Sequence, residues 1–238
     1  MSSDAAAAAA VPTEMIGWWE HGEEALATAV GRLVDEDFPA PSLLPGWTRA
    51  HVIAHVVRNA DAIGNLLTWA RTGVETPMYP SQEARDRGIE ETARRSPDEL
   101  RGDVVAAAAQ LAGTVRDLPA QAWAATVRTN RGREVTGADV IWMRCWEVWV
   151  HAVDLDSGVG FADLPGEVLA GVVDEVFLAW ATRDETPDLV VFAGDREWGS
   201  GSLAVAGSLP EVAEWLTGRG DGAGLKADGP LPQLPRWL

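Results

Sequence analysis

Four long helical patterns within the first 157 residues constrain the fold of this chain more than any other feature. Apolar residues that recur on one face, with capping residues at the helix starts, predict helices over residues 12–34, 48–71, 96–116 and 136–157. Ser96-Pro97-Asp98-Glu99 is a capping box with proline at the first helical position, and Thr136 with Asp139 repeats the cap spacing. Helices of about 20 residues in this number most easily form a bundle.

Two weaker patterns lie between these helices. The charge-balanced stretch 81–95 is predicted to be helical, and an irregular or short β segment is expected after Pro119.

The last third of the chain has a different pattern. A helix is predicted over 165–183, strands over 189–193, 203–206 and 224–228, a second helix over 209–218, and an extended proline-containing tail from 230. Strands packed with two helices make a small α+β unit. We therefore expect a disordered alanine-rich lead-in at 1–11, a helical domain at 12–160 and an α+β domain at 161–238.

Composition excludes several classes of function. The 238 residues carry a net charge of −17, which would repel nucleic acid, and no apolar run approaches the roughly 20 residues of a membrane span. The single cysteine cannot form an internal disulfide, and the start lacks the features of a signal peptide. These observations predict a cytoplasmic protein without nucleic-acid or membrane binding.

Two pairs of side chains with helical spacing could bind a metal. His51 and His55 lie four residues apart on the second helix, and Glu147 and His151 repeat this spacing on the fourth. Imidazole and carboxylate groups bind zinc and other divalent ions, and inward-facing pairs on two antiparallel helices could form such a site. Either pair alone is common by chance. However, Glu147 lies in an apolar stretch with three tryptophans, where an unpaired carboxylate is costly and a cation would compensate it.

Several segments resemble the mycothiol-dependent maleylpyruvate isomerase family. The matching segments span most of the chain from about residue 40: Leu44-Pro45-Gly46-Trp47-Thr48-Arg49-Ala50-His51-Val52-Ile53-Ala54-His55, Thr72 to Tyr79, Trp142-Met143-Arg144, Glu147 to Leu155, Gly218-Arg219-Gly220 and Pro235-Arg236-Trp237-Leu238. The resemblance implies a mainly α fold, with an N-terminal DinB-like four-helix bundle and a smaller, sterol-carrier-like C-terminal α+β domain.

The resemblance also implies a set of site residues. It assigns a divalent metal, usually zinc, to His55, Glu147 and His151, and it places His51 beside the metal ligands rather than among them. It matches Arg219 to an arginine that the family requires, and it implies mycothiol as the thiol cofactor. Arg85 and Arg144 are further candidates for contacts with the substrate or the thiol.

The implied reaction converts maleylpyruvate to fumarylpyruvate, a cis-to-trans isomerisation in the catabolism of aromatic compounds. A thiolate that adds to the conjugated double bond allows rotation, and elimination restores the bond. Cys145 lies two residues before Glu147 and so points away from the Glu147–His151 face, which favours an external thiol. An arginine such as Arg219 would bind the anionic substrate.

Two alternatives remain open from the sequence. The same metal and thiol would serve a mycothiol S-transferase that acts on another electrophile. A non-catalytic module with a structural metal and an apolar ligand would also fit the pattern.

Overall fold

The computed structural model describes residues 11–237, and the alanine-rich segment 1–10 lies outside the described part, as does Leu238. The chain divides into two compact units, one that ends at Val159 and one that begins at Gly160.

The first unit is built from helices and one small hairpin. Its elements are α1 (Thr13–Arg32), α2 (Arg49–Thr72), α3 (Gln82–Ala93), α4 (Pro97–Arg116), β1 (Thr126–Arg128), β2 (Glu134–Thr136) and α5 (Gly137–Asp154). Helix α1 packs on α5, and α2 packs on α4 and α5, while α3 lies against α2. The four longer helices, α1, α2, α4 and α5, therefore form the predicted bundle, and the expected β segment after Pro119 is the antiparallel hairpin β1–β2.

Capping boxes fix where three of these helices begin. Thr136 accepts a hydrogen bond from the Asp139 backbone while the Asp139 carboxylate accepts one from the Thr136 backbone, and Ser96 and Glu99 form the same reciprocal pair. Each satisfies backbone donors that a helix start leaves free. Both predicted caps are confirmed. The cap at Thr48 is different, because its partner is the imidazole of His51.

A glycine allows α1 and α5 to approach closely. A Cβ atom at Gly22 would lie 2.6 Å from Cγ2 of Val148 and 2.8 Å from Nε1 of Trp149. The side chains of Trp19, Leu26 and Ile141 are fully buried in the same core. Close packing at Gly22 sets how α5 lies against α1.

The second unit combines two helices with a four-stranded sheet. Its elements are α6 (Gly166–Thr182), β3 (Leu189–Ala193), β4 (Arg196–Gly199), β5 (Leu203–Ala206), α7 (Leu209–Leu216) and β6 (Lys226–Ala227). The strand order is β4-β3-β5-β6, with β3 and β5 parallel and the other pairs antiparallel. The prediction of a mainly helical protein with a smaller α+β part is confirmed.

Between the predicted strands 189–193 and 203–206 the chain forms a further strand, β4, that the sequence pattern does not predict. A two-residue loop at Gly194 and Asp195, with φ of +63° at the glycine, leads into the edge strand β4. The sequence of β4 does not predict a strand, because Arg196 and Glu197 are charged and its four residues include no run of apolar or β-branched side chains. The last predicted strand shortens to Lys226–Ala227.

The tail from Pro230 forms no helix or strand within the residues described, as predicted for an extended segment. Nε1 of Trp180 donates a hydrogen bond to the carbonyl of Pro235, and the Trp237 side chain is buried. The tail is therefore held within the second unit.

Candidate metal centre

Helices α2 and α5 bring three potential metal ligands together inside the bundle. Nε2 of His55, on α2, and Nε2 of His151, on α5, each lie 3.0 Å from Oε2 of Glu147. The ligand atoms of the three side chains lie within 4.8 Å of one another, and the two imidazole rings meet edge to face. The sequence spacing placed Glu147 and His151 on one face, and the packing of α2 on α5 brings His55 to it.

The three groups balance each other electrostatically when no ion is bound. Burial lowers the pKa of His55, so this ring is neutral at neutral pH. Burial alone would raise the pKa of Glu147, but the two histidines hold it well below its usual range. Burial would lower the pKa of His151, but hydrogen bonds to Asp154 and Glu147 raise it to about 9. The buried carboxylate is therefore compensated by His151 in the metal-free protein.

Asp154 holds His151 from the other side. Nδ1 of His151 donates a hydrogen bond of 2.8 Å to Oδ2 of Asp154, and the Asp154 side chain is fully buried. This contact fixes the ring so that Nε2 faces Glu147. The same arrangement, in which a carboxylate binds the distal nitrogen of a histidine ligand, is typical of zinc sites.

The donor set fits a divalent metal ion. Two imidazole nitrogens and one carboxylate oxygen are the protein ligands of many catalytic zinc sites, which leave one position open for water or substrate. All three side chains are at least 88% buried, so few water molecules compete with the ion.

Three further side chains border the cluster. The Trp47 ring packs edge-on against His55 with ring centroids 5.5 Å apart, and Nη2 of Arg85 lies 3.4 Å from Nδ1 of His55. The Arg85 guanidinium also lies over the Tyr79 ring. Burial, and then the charge of Glu147, raises the pKa of Tyr79 to about 12, so its hydroxyl stays protonated at neutral pH.

The comparison with protein families places the chain in a known group. A family model described as the mycothiol maleylpyruvate isomerase N-terminal domain matches residues 19–156, which is more than half of the chain. The chain belongs to the mycothiol-dependent maleylpyruvate isomerase family. The predicted resemblance is confirmed.

Solved structures of this isomerase family agree with the assignment. The chain is 35% identical to the mycothiol-dependent maleylpyruvate isomerase and 34% identical to a histidine-to-alanine mutant of it. In both comparisons the TM-score is 0.90, and the match covers 94% of this chain and 96% of the other. No curated protein matches the chain significantly. None of the helices among residues 11–237 is long and apolar enough to cross a membrane.

In this isomerase-family chain, His51 has a structural role at the start of α2. Its Nδ1 lies 2.6 Å from the Thr48 hydroxyl, and its Nε2 lies 3.5 Å from a Glu90 carboxylate oxygen. The ring therefore caps the helix one turn before His55.

The structure places Arg144, a candidate for contacts with the substrate or the thiol, in the interior of the bundle. Its side chain is only 1% exposed, its Nε and Nη2 donate hydrogen bonds to the Glu23 carboxylate, and its Nη1 donates to the Val56 carbonyl and to Asn59. The arginine ties α5 to α1 and α2 inside the bundle. No local sequence pattern predicts this pairing, because Glu23 lies 121 residues away from Arg144 in the sequence.

Cys145 is buried, and its surroundings favour the protonated thiol. Burial, and then the nearby charge of Glu23, raises the pKa of the thiol to about 12. The thiol is therefore protonated at neutral pH, as suits a packed residue rather than a nucleophile.

Arg219 belongs to the second unit, directly after α7. The chain turns at Gly218 with φ of +75°, and Nη1 of Arg219 donates a hydrogen bond to the Thr217 carbonyl. The guanidinium lies over the Trp237 ring at 5.7 Å from the centroid.

Sequence reasoning missed Asp154, Tyr79 and Trp47 as parts of this site. Asp154 follows His151 by three residues on an apolar helix, which is the one local signal that could have identified it. Tyr79 and Trp47 lie in segments that resemble the family, but their spacing does not link them to α5.

Proposed function

We propose that this chain catalyses the mycothiol-dependent isomerisation of maleylpyruvate to fumarylpyruvate, at a zinc centre held by His55, Glu147 and His151. The observation that carries the proposal is the buried cluster of two imidazoles and one carboxylate in a chain of this family. Similarity over 94% of the chain to a solved mycothiol-dependent maleylpyruvate isomerase supports the reaction type.

The reaction requires a temporary loss of the double bond. A bound thiol cofactor would supply a thiolate for addition to one alkene carbon, with the π electrons moving into the adjacent carbonyl. The resulting single bond could rotate, and elimination of the same thiolate would restore the alkene in trans geometry. The thiol is regenerated, so covalent catalysis consumes no cofactor.

The metal would supply the activated thiol, because a divalent ion lowers the pKa of a thiol that coordinates it. The chain's own residues hold and surround that position. His55, Glu147 and His151 are its ligands, Asp154 orients His151, and burial keeps bulk water from the cluster.

Arginine side chains would allow this acidic protein to bind an anionic substrate. With a net charge of −17 the protein repels a dicarboxylate at long range, so cationic groups must act locally. We assign to Arg219 the binding of a substrate carboxylate or of the enolate oxygen, since a guanidinium forms two parallel hydrogen bonds to such groups. Arg85, beside His55, is a second candidate.

An assay with thiol accounting tests the proposal. Zinc-loaded protein, mycothiol and maleylpyruvate are mixed, and the absorbance of the product and the concentration of free thiol are followed together. We expect fumarylpyruvate with no loss of thiol. Stoichiometric loss of thiol would instead identify an S-transferase and overturn the isomerase assignment.

Two variants separate the roles of the residues. His55→Ala should abolish zinc binding and activity while the circular dichroism spectrum stays helical. Arg219→Ala should retain zinc and raise the KM for maleylpyruvate or lower kcat. Unfolding of His55→Ala would instead favour a structural metal.

A further inference from the structure

The backbone of Arg219 is fixed by the C-terminal cap of α7. The amide of Gly218, which has φ of +75°, donates a hydrogen bond of 3.0 Å to the Trp215 carbonyl. The amide of Arg219 donates one of 2.9 Å to the Glu214 carbonyl. These two bonds around a left-handed glycine form a Schellman motif, which ends a helix in one defined conformation. Helix α7 therefore sets the point at which the Arg219 side chain begins.

Two contacts then hold the guanidinium at the other end of that side chain. Nη1 of Arg219 donates a hydrogen bond of 2.8 Å to the Thr217 carbonyl, and Cζ lies over the Trp237 ring at 5.7 Å from its centroid. An aromatic face attracts a cation at this distance, and this attraction uses none of the five N–H donors of a guanidinium. The ring therefore restricts the guanidinium without occupying the groups that bind an anion.

The C-terminal end of α6 holds the tail that carries Trp237. Nε1 of Trp180 donates a hydrogen bond of 3.2 Å to the Pro235 carbonyl. The Arg183 guanidinium donates hydrogen bonds to the next two carbonyls, those of Arg236 and Trp237. Trp237 is only 3% exposed. Three consecutive carbonyls are thus bound by side chains of α6 and its end, so a segment without helix or strand keeps its aromatic ring in one place.

A guanidinium that is already in place suits the binding of an anion. The arginine side chain has many rotamers, and ordering such a side chain during binding costs free energy. A preorganised side chain avoids that cost. The effect matters in this chain because its net charge of −17 repels an anion at long range, so that local cationic groups must compensate.

We propose that Trp237 and Arg183 are positioning residues for Arg219, so that the C-terminal tail takes part in binding the anionic substrate. Trp237 acts on the guanidinium through its ring, and Arg183 acts one step further away by holding the tail. The inference rests on the proposed function, which assigns substrate binding to Arg219. It gives the tail a role through Arg219 rather than by direct contact with the substrate.

Proton–nitrogen NMR of the zinc-loaded full chain, isotope-labelled at arginine, tests the inference without an assay of activity. The Nε–H signal of Arg219 is assigned by its loss in Arg219→Lys, and its heteronuclear Overhauser effect reports how far the guanidinium is ordered. We expect an ordered group in the unsubstituted chain and in Trp237→Phe, which keeps an aromatic face. Trp237→Leu and Arg183→Met should make the group mobile.

The kinetic effect should follow the loss of order. The kcat/KM for maleylpyruvate should fall by about 3- to 30-fold in Trp237→Leu, the range expected for the loss of one cation–π contact. Arg183→Met should show a smaller loss of the same kind, and Trp237→Phe should retain most of the activity.

Arg196→Met is the matched control for Arg183→Met. Both arginines lie in the second unit and are partly exposed, and each pairs with a glutamate, Glu185 for Arg183 and Glu167 for Arg196. Arg196 contacts the first turn of α6, whereas Arg183 contacts the tail. Arg196→Met should therefore leave Arg219 ordered and kcat/KM unchanged.

A stable fold is checked by circular dichroism, and Arg183→Met decides alone if Trp237→Leu fails to fold. An Arg219 signal that stays ordered in Arg183→Met and in a folded Trp237→Leu would overturn the inference. Equal losses of order in Trp237→Phe and Trp237→Leu would also overturn it, because the aromatic face would then not be what holds the guanidinium.

The two readouts separate this inference from the proposed function. Loss of Arg219 order in the variants, with no fumarylpyruvate formed even by the unsubstituted chain, would contradict the isomerase and leave the contact that orders Arg219 intact. Isomerisation with Arg219 ordered in every variant would contradict the positioning role and leave the isomerase intact. A mobile Arg219 with unchanged kcat/KM would contradict the assignment of substrate binding to Arg219, and the inference with it.

Discussion

The carboxylate of Asp154 lies 2.8 Å from Nδ1 of His151, and both side chains are buried. Because they lie three residues apart on α5, the helix itself sets their geometry. The opposite ring nitrogen of His151 faces Glu147 at 3.0 Å. One helix therefore supplies two candidate metal ligands together with the group that orients one of them.

Replacing Asp154 should weaken metal binding more than it weakens the fold. Asp154→Asn removes the charge that favours the correct His151 orientation, and loss of such a partner typically lowers metal affinity about 10–100-fold. Competition with a chromophoric zinc chelator measures the change.

Asp156→Asn is the control for that experiment. Asp156 is an exposed aspartate two residues later, it pairs with Arg49, and its φ of +49° is tolerated by asparagine. Equal zinc affinities for the two variants would show that Asp154 makes no specific contribution to metal binding.

Zinc affinity should rise with pH between pH 7 and pH 8. The pKa of His151 is raised to about 9, so the metal-free protein holds a proton there that zinc must displace, whereas His55 is already neutral. One displaced proton increases affinity about tenfold per pH unit. Calorimetry in buffers of different ionisation enthalpy counts the protons, and release of none would contradict the expected state of His151.

The same proton makes the metal-free protein less stable at alkaline pH. The pKa of His151 is raised above the ordinary value of 6.5, so the folded state binds the proton more tightly than the unfolded chain. This stabilisation is complete below pH 6.5 and is lost as the pH rises to about 9. Urea unfolding with a chelator present should show the decline, and His151→Gln should show a smaller one.

Breaking the buried Arg144–Glu23 pair should cost more stability than removing the pair altogether. Arg144→Met leaves the Glu23 carboxylate buried without its cation, which typically costs about 3–5 kcal/mol. Adding Glu23→Gln removes the charge and keeps an acceptor for Nε1 of Trp19. Urea unfolding should show the double variant to be more stable than Arg144→Met alone; equal stability would mean that the charge is not what is costly.

Cys145 should be dispensable for activity. Its pKa of about 12 keeps the thiol protonated, and it lies off the Glu147–His151 face of α5. Cys145→Ala should retain kcat with mycothiol, and iodoacetamide should modify the folded protein only slowly at pH 8. Rapid alkylation together with a large loss of kcat in Cys145→Ala would show that the chain supplies a reactive sulfur.

The helices and their caps could be predicted because their signals are local. Each of two helix starts is indicated by a capping box within four residues, Ser96 with Glu99 and Thr136 with Asp139. The edge strand β4 could not, because its four residues are polar apart from Trp198 and glycine, and pairing with β3 provides its order.

The site was predictable to the extent that its residues share a helix or a family motif. Spacing places Glu147 and His151 together, and the resemblance adds His55, which lies 92 residues away from Glu147. Arg144 shows the limit, since its hydrogen-bonding partner Glu23 lies 121 residues away in the sequence and no local pattern links the two. That these side chains bind zinc stays a prediction.

Conversion of maleylpyruvate in the presence of substoichiometric mycothiol tests the central claim most directly. Proton NMR distinguishes cis from trans alkene protons and also detects any thiol adduct. Zinc-loaded protein should convert the whole substrate pool to fumarylpyruvate with the mycothiol left free, and Glu147→Gln should convert none. Conversion that stops when the thiol is used up, or full activity in Glu147→Gln, would contradict the account.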